Sequence, residues 1–275
     1  MIKKFMAIAA VAAMLIACGP DEPKDDPTPG TGPGTEKPEE PEEPEEPEFV
    51  GAIQIDGNFE DWDALAESQY AVATLPTEGT IVDPVLKTLK LHAEELYIYI
   101  YLEYDPRGEY LESTNAETGE VTGSYSGVRY LDLFLDEDND PATGRYYAWS
   151  NCSSYMLQGG FHGVTTPYDP GCDMYTGVDG QADWLWEDLG LYGVVTSVLP
   201  VEVSEDKALF ECSLLRPAMT IPMAETIGVG AIVETEDWSS IGQLPQYSAE
   251  VVGGETGSED NRPAMLFIDL PAMLE

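Results

Sequence analysis

The stretch "LYIYIYLE", Leu96–Glu103, decides the fold class. Leu96, Ile98, Ile100 and Leu102 fall on one side of an extended chain, and Tyr97, Tyr99 and Tyr101 on the other. A period of two is the signature of a β-strand that buries one face. Further runs of the same kind lie on both sides of it: "AIQI" from Ala52, "LKTLKLHA" from Leu86, "RYLDLFLD" from Arg129, "YGVVTSVL" from Tyr192, "ALFECSLL" from Ala208, "IGVGAIVE" from Ile227 and "MLFIDL" from Met265. Clusters of Gly, Pro, Asp and Asn separate them, and helical periodicity is scarce. Many short strands with turn punctuation predict an all-β fold, a two-sheet antiparallel β-sandwich.

Upstream of the first strand the composition changes. Lys3 and Lys4 precede an apolar run, Phe5 to Ala17, that is too short for a membrane span and ends in "LIAC". This pattern resembles the signal and lipobox of bacterial lipoproteins. It implies a signal peptide over residues 1–17, a lipid-modified Cys18, and a location at the outer membrane, lipid-anchored and exposed at the cell surface. Nine prolines and 12 acids crowd residues 20–48, with almost no apolar side chain. Such a segment cannot bury enough surface to offset the entropy of ordering it. Residues 18–48 are therefore expected to form a disordered Pro/Glu-rich stalk, and residues 49–275 the sandwich.

The chain carries 52 acids and 12 bases. Residues 1–48 hold 12 of those acids and four of the lysines, which leaves residues 49–275 at a net −32. Nucleic acid and anionic membrane surfaces are poor partners for such a charge. Neutral polymers and divalent cations are compatible with it. After Cys18, three cysteines remain. Cys212 alternates with Phe210 and Leu214 and reads as a buried strand residue, with Glu211 and Ser213 on the opposite face. Cys152 and Cys172 flank a segment rich in Gly, Pro and Tyr, and a disulfide between them suits an oxidising compartment.

Acids at alternate positions mark the end of the strand that starts at Arg129. Asp136, Asp138 and Asp140 stand in "DEDNDPATG", where a hard cation such as calcium could gather oxygens from one side. It is no EF-hand, since Pro141 and Tyr147 occupy the sixth and twelfth loop positions. Asn139-Asp140-Pro141 and Thr143-Gly144 also make good metal-free turns. For ligand contact the exposed-aromatic candidates are Trp184 and Trp186 in "DWLWEDLGLYG", Trp238 in "ETEDWSS" and Tyr125 in "GSYSGVRY". Trp62 and the stripe of Tyr97, Tyr99 and Tyr101 read more simply as packing. Of the two histidines, His92 lies in a strand and His162 in a glycine-flanked loop, with no zinc spacing, serine-nucleophile turn or phosphate loop nearby. Nothing here points to an enzyme.

Taken in order, "IQIDGNFEDW", "LKLHAEELYIYIYLEYDP", "LDLFLDEDNDPATG", "ALFECSLLRPAMTIP", "IGVGAIVETED" and "MLFIDL" resemble the family 9 carbohydrate-binding modules and their DOMON-like relatives. The resemblance implies a calcium-containing β-sandwich of jelly-roll or immunoglobulin-like type, itself non-catalytic and often attached to glycan-degrading machinery. Related modules clamp a sugar between two tryptophans. Here the first position offers Tyr125, and the last loop, "SAEVVGGETGSEDNRPA", has no aromatic. The expectation is a non-catalytic surface lipoprotein that binds extracellular polysaccharide or oligosaccharide, with other surface glycan-utilisation proteins as further partners. The rival expectation is a structural or assembly component of an outer-membrane complex that binds no sugar.

Overall fold

The computed structural model describes residues 51–77, 81, 83–147, 149–161, 167–189, 193–220, 222–246 and 264–273. The chain divides between Glu48 and Phe49, and all described residues belong to the second part. The expected signal segment, Cys18, the expected stalk and His162 lie outside them.

After a short helix, α1 (Glu60–Ala64), every regular element of note is a strand: β1 (Tyr70–Thr74), β2 (Leu86–Ala93), β3 (Tyr97–Tyr104), β4 (Tyr110–Thr114), β5 (Val121–Tyr125), β6 (Tyr130–Asp136), β7 (Tyr155–Gly160), β8 (Tyr168–Tyr175), β9 (Trp186–Asp188), β10 (Val195–Ser197), β11 (Val201–Ser204), β12 (Lys207–Leu215), β13 (Thr226–Glu234), β14 (Ser240–Leu244) and β15 (Leu266–Asp269). One sheet runs β1-β2-β3-β12-β10, with β11 also on β12. The other runs β14-β13-β6-β7-β8-β9, and β15 pairs with the first half of β13. Every pairing is antiparallel. The all-β sandwich expected from strand periodicity is the fold.

Alternation builds the core. Leu89, Leu91, Ile98, Ile100, Leu102, Phe210, Cys212 and Leu214 of the first sheet face Leu131, Leu133, Leu135, Leu157, Val229, Ala231 and Val233 of the second, all fully or almost fully buried. Transfer of that much apolar surface from water is the main stabilising contribution, at about 25 cal/mol per Å².

The outer face of the first sheet is also covered. Residues 53–65 fold across it, and Ile53 and Trp62 pack on Tyr99, Tyr101 and Leu209. Trp62 lies 5.5 Å from Tyr101, centre to centre. Glu211, opposite Tyr101 in the register, is sealed beneath this segment with no exposed surface. Its carboxylate accepts hydrogen bonds from Asp56 N (3.1 Å), Gly57 N (2.8 Å) and Trp62 Nε1 (3.0 Å). The tyrosine stripe is therefore packing. Arg216 ties the far end of the same sheet, its Nη1 donating to the carbonyls of Glu94, Glu95 and Pro271.

No disulfide joins Cys152 to Cys172, against expectation. Cys172 sits opposite Leu157 in the β7–β8 register, five residues along the chain from Cys152. Cys152 precedes β7, and the chain next to it runs beside Tyr175, whose N donates to Ser154 O at 2.8 Å, three residues along β8 from Cys172, so the two thiols are not brought together as a bridge requires. Both are buried, and burial pushes the Cys172 thiol up to about 12.

Candidate functional site

The outer face of the second sheet has two halves. On β6, Tyr130, Asp132, Phe134 and Asp136 point away from the core, and the register sets Glu234, Ile232, Gly230 and Gly228 of β13 beside them. Gln158 and Met156 of β7 continue the rows opposite Asp132 and Phe134.

One half is closed and apolar. Phe134, Trp149, Met156, Ile232 and Met265 form a buried cluster, with Tyr147 and Trp186 at its edge. The chain between β6 and β7 folds back to supply the two lid aromatics. Tyr147 stacks on Phe134, centroids 4.5 Å apart and planes at 15°. Trp149 lies against Gly230, where an added Cβ would meet the indole at 2.6 Å. Glycine is required there by close approach.

The other half is polar and edged by exposed rings. Asp132 is 1 % exposed and Glu234 6 %. They are diagonal neighbours across β6 and β13, a relation that brings side chains within reach of each other. Gln158 Nε2 donates to Asp132 Oδ1 at 3.0 Å. Burial raises Asp132 to about 6, and the neighbouring Gln158 amide lowers it only in part. Burial, then the nearby Asp132 charge, raises Glu234 to about 8. Three buried atoms in this neighbourhood find no hydrogen-bond partner among the described residues: Glu234 Oε2, Gln243 Nε2 and Arg145 Nη1. A native fold rarely leaves such groups unpaired without reason.

Above this floor Tyr130 and Trp238 stack face to face, 3.8 Å apart with planes at 4°. Trp238 is half exposed and holds a left-handed backbone at φ +63. That conformation is strained for a bulky residue, and strain of this kind clusters at ligand sites. The turn that imposes it is closed by Thr235 N donating to Ser239 O and Trp238 N donating to Thr235 O. Tyr168 reaches across Gly160 from β8. On the other side the Arg145 guanidinium lies 5.2 Å from Tyr147 and 4.6 Å from the exposed Trp184. It donates to the carbonyls of Ala182 and Asp183. Trp184, Arg145, Tyr147, Asp132, Glu234, Tyr130 and Trp238 thus form one strip.

The expected ligand aromatics separate accordingly. Trp184 and Trp238 mark the two ends of the strip. Trp186 packs into the apolar half, against Phe134 and Tyr175. Tyr125 stands on the β4–β5 hairpin, against Tyr110 and under Arg107. Its neighbour Ser126 lines a groove of about 560 Å³ with Glu109, Leu111 and the Thr235–Ser239 turn. Sequence reasoning missed Tyr130, Asp132, Arg145, Tyr147, Tyr168 and Glu234. The available signal was an acid amid apolar neighbours: Asp132 inside "YLDLFL" and Glu234 at the end of "IGVGAIVE".

At the acidic turn, Asp136 is buried and accepts a hydrogen bond from Asn151 Nδ2, which also donates to Asn139 Oδ1 at 3.2 Å. Asp138 accepts from Thr143 Oγ1 at 2.7 Å, and Asp140 Oδ1 from Ala142 N at 2.9 Å. Burial raises Asp136 to about 6 and Glu137 to about 7. Neither Glu137 oxygen reaches a partner at bonding geometry among the described residues, and nearby Ser154 compensates only weakly. No three His, Cys, Asp or Glu side chains converge as a metal site among the described residues. Asp136, Asp138, Asn139 and Asn151 do offer hard oxygen donors, the type calcium takes. Asp140 is committed to its own turn.

Compared with models of known protein families the chain matches none, and comparison with curated proteins gives no match.

Proposed function

We propose that the chain is a surface lipoprotein whose stalked β-sandwich binds extracellular polysaccharide or oligosaccharide without catalysing its breakdown. The half-exposed, backbone-strained Trp238 stacked on Tyr130, beside buried polar groups that lack partners, carries this reading. Sugar recognition needs a flat aromatic face for the apolar side of the ring and fixed polar groups for its hydroxyls. The outer-face strip has both, on a rigid sheet. The lipobox-like "LIAC" and the proline-rich stalk fit a binder held at the outer-membrane surface, within reach of other glycan-utilisation proteins.

Calcium belongs to the same proposal. Asp136 and Asp138, with the amide oxygens of Asn139 and Asn151, would hold the ion and fix the loop that carries Tyr147 and Trp149. The β4–β5 hairpin favours a second reading, an assembly component that binds no sugar: Tyr110, Leu111, Val121 and Tyr125 on it are all exposed.

Tryptophan emission separates the two. Titration of the chain with a panel of soluble polysaccharides is expected to shift emission and protect against acrylamide quenching for at least one polymer. Trp238→Ala should weaken that binding at least tenfold. Indifference to the whole panel would leave the assembly reading, and unchanged affinity in Trp238→Ala would overturn the strip as the binding site.

A further inference from the structure

The floor of the strip restricts the chemistry of what can lie on it. The charged and titratable groups facing it come from several elements. β6 contributes Asp132 and Tyr130, β13 Glu234, β8 Tyr168 and Asp173, and the turn before β2 Asp83, which accepts a hydrogen bond from Ser240 Oγ at 2.9 Å. The β6–β7 loop adds Tyr147 and the cation Arg145. That guanidinium is already engaged by two carbonyls and two aromatic rings. Two buried carboxyls, Asp132 and Glu234, outnumber that one cation at the centre, and Glu234 Oε2 is unpartnered among the described residues. A hydroxyl or an ammonium group above the pair is not repelled. A carboxylate or sulfate placed there would meet the charge of Asp132, joined by that of Glu234 where it ionises, near pH 8, at a low local dielectric that makes the repulsion cost far more than at the surface.

We propose that the strip selects by charge: its ligand is an uncharged or amine-bearing saccharide, and uronate- or sulfate-bearing chains are rejected at Asp132 and Glu234. This rests on the glycan reading above and narrows it to a substrate class.

Affinity electrophoresis of the full chain tests it, with gels containing neutral glucan, xylan or mannan, chitosan, polygalacturonate, or dextran sulfate. The expected result is retardation by at least one neutral or amine-bearing polymer and by neither acidic one. In the Asp132→Asn/Glu234→Gln double variant, the ratio of affinity for polygalacturonate to affinity for the neutral polymer should rise at least tenfold. At most two charges of a net −32 over residues 49–275 are removed, so a change of that size belongs to the site and not to overall repulsion. Asp132→Asn alone carries the test if the double variant melts well below the parent. Retardation of the parent by acidic polymers, or an unchanged ratio in the variants, overturns the charge rule while leaving glycan binding in place. Retardation by no polymer of any class overturns both.

Discussion

Replacing Glu211 by alanine isolates one interaction that seals the first sheet. The carboxylate is wholly buried and accepts three hydrogen bonds, from Trp62 Nε1 and from the backbone of Asp56 and Gly57. Alanine strands the indole N–H, which is buried, at about 1–3 kcal/mol. The two backbone donors lie nearer solvent, where water restores part of each bond, so each adds about 0.5 kcal/mol. The sum is about 3 kcal/mol. In a domain of this size one kcal/mol moves the melting temperature by about 2–4 °C, so Glu211→Ala should melt about 6–12 °C lower by calorimetry. Glu211→Gln keeps an oxygen for Asp56 and Gly57 but turns an amide donor towards the indole, and should fall between. Trp62→Phe removes that donor and should couple with Glu211→Ala in a double-mutant cycle by about 1 kcal/mol or more. A loss below about 1 kcal/mol in Glu211→Ala, or strict additivity with Trp62→Phe, would refute the view that this carboxylate clasps the amino-terminal segment.

The domain should also grow more stable as pH falls from 8.5 towards 5.5. Asp132, Asp136, Glu137 and Glu234 titrate near 6, 6, 7 and 8 in the fold, above their ordinary 3.8 or 4.5, because burial disfavours their charged forms. The folded state therefore holds more protons than the unfolded one through that window. Stability is lost as pH rises through those values and is regained on acidification. Melting temperatures at fixed ionic strength that fall from pH 8.5 to 5.5 would contradict this. Calcium, if held at Asp136 and Asp138, should raise the melting temperature most at the alkaline end, and a chelator should reverse the effect. Gly230→Ala should cost about 1–3 kcal/mol by overpacking against Trp149, with loss of near-ultraviolet dichroism from the displaced indole.

The inward faces of the strands were legible because their period is local. Leu96 to Leu102 and Phe210 to Leu214 needed no partner to declare a buried side. Their opposite sides were legible only in part. The tyrosine stripe reads as packing, but Glu211 looks solvent-facing until residues 53–65 fold across it, and no periodicity encodes that. The strip was hidden for the same reason. Asp132 and Glu234 meet only through the β6–β13 register, about a hundred residues apart in sequence, and Trp238 finds Tyr130 through the same pairing. Cys152 and Cys172 were misjudged because their spacing suits a loop, whereas Cys172 is held within β8 and Cys152 lies before β7 begins. The β4–β5 hairpin escaped notice because its strands are exposed throughout and carry no buried alternation.

A sandwich consumes the inner faces of both sheets in making its core, so specialised chemistry must use an outer face, an edge or a loop. Here the outer face of the first sheet is taken by the amino-terminal segment, sealed through Trp62 and Glu211. On the second sheet the β6–β7 loop packs Tyr147 and Trp149 over the rows of Phe134 and Asp132, and the row of Tyr130 is left to Trp238 and Tyr168. Burying carboxyls in the rows of Asp132 and Tyr130 opposes stability, because desolvation alone lifts both groups well above their usual range. A fold selected only for stability would place Thr or Val there, as the pleat allows. Two acids buried in these rows, beside a strained and half-exposed tryptophan, are what the proposed ligand site rests on.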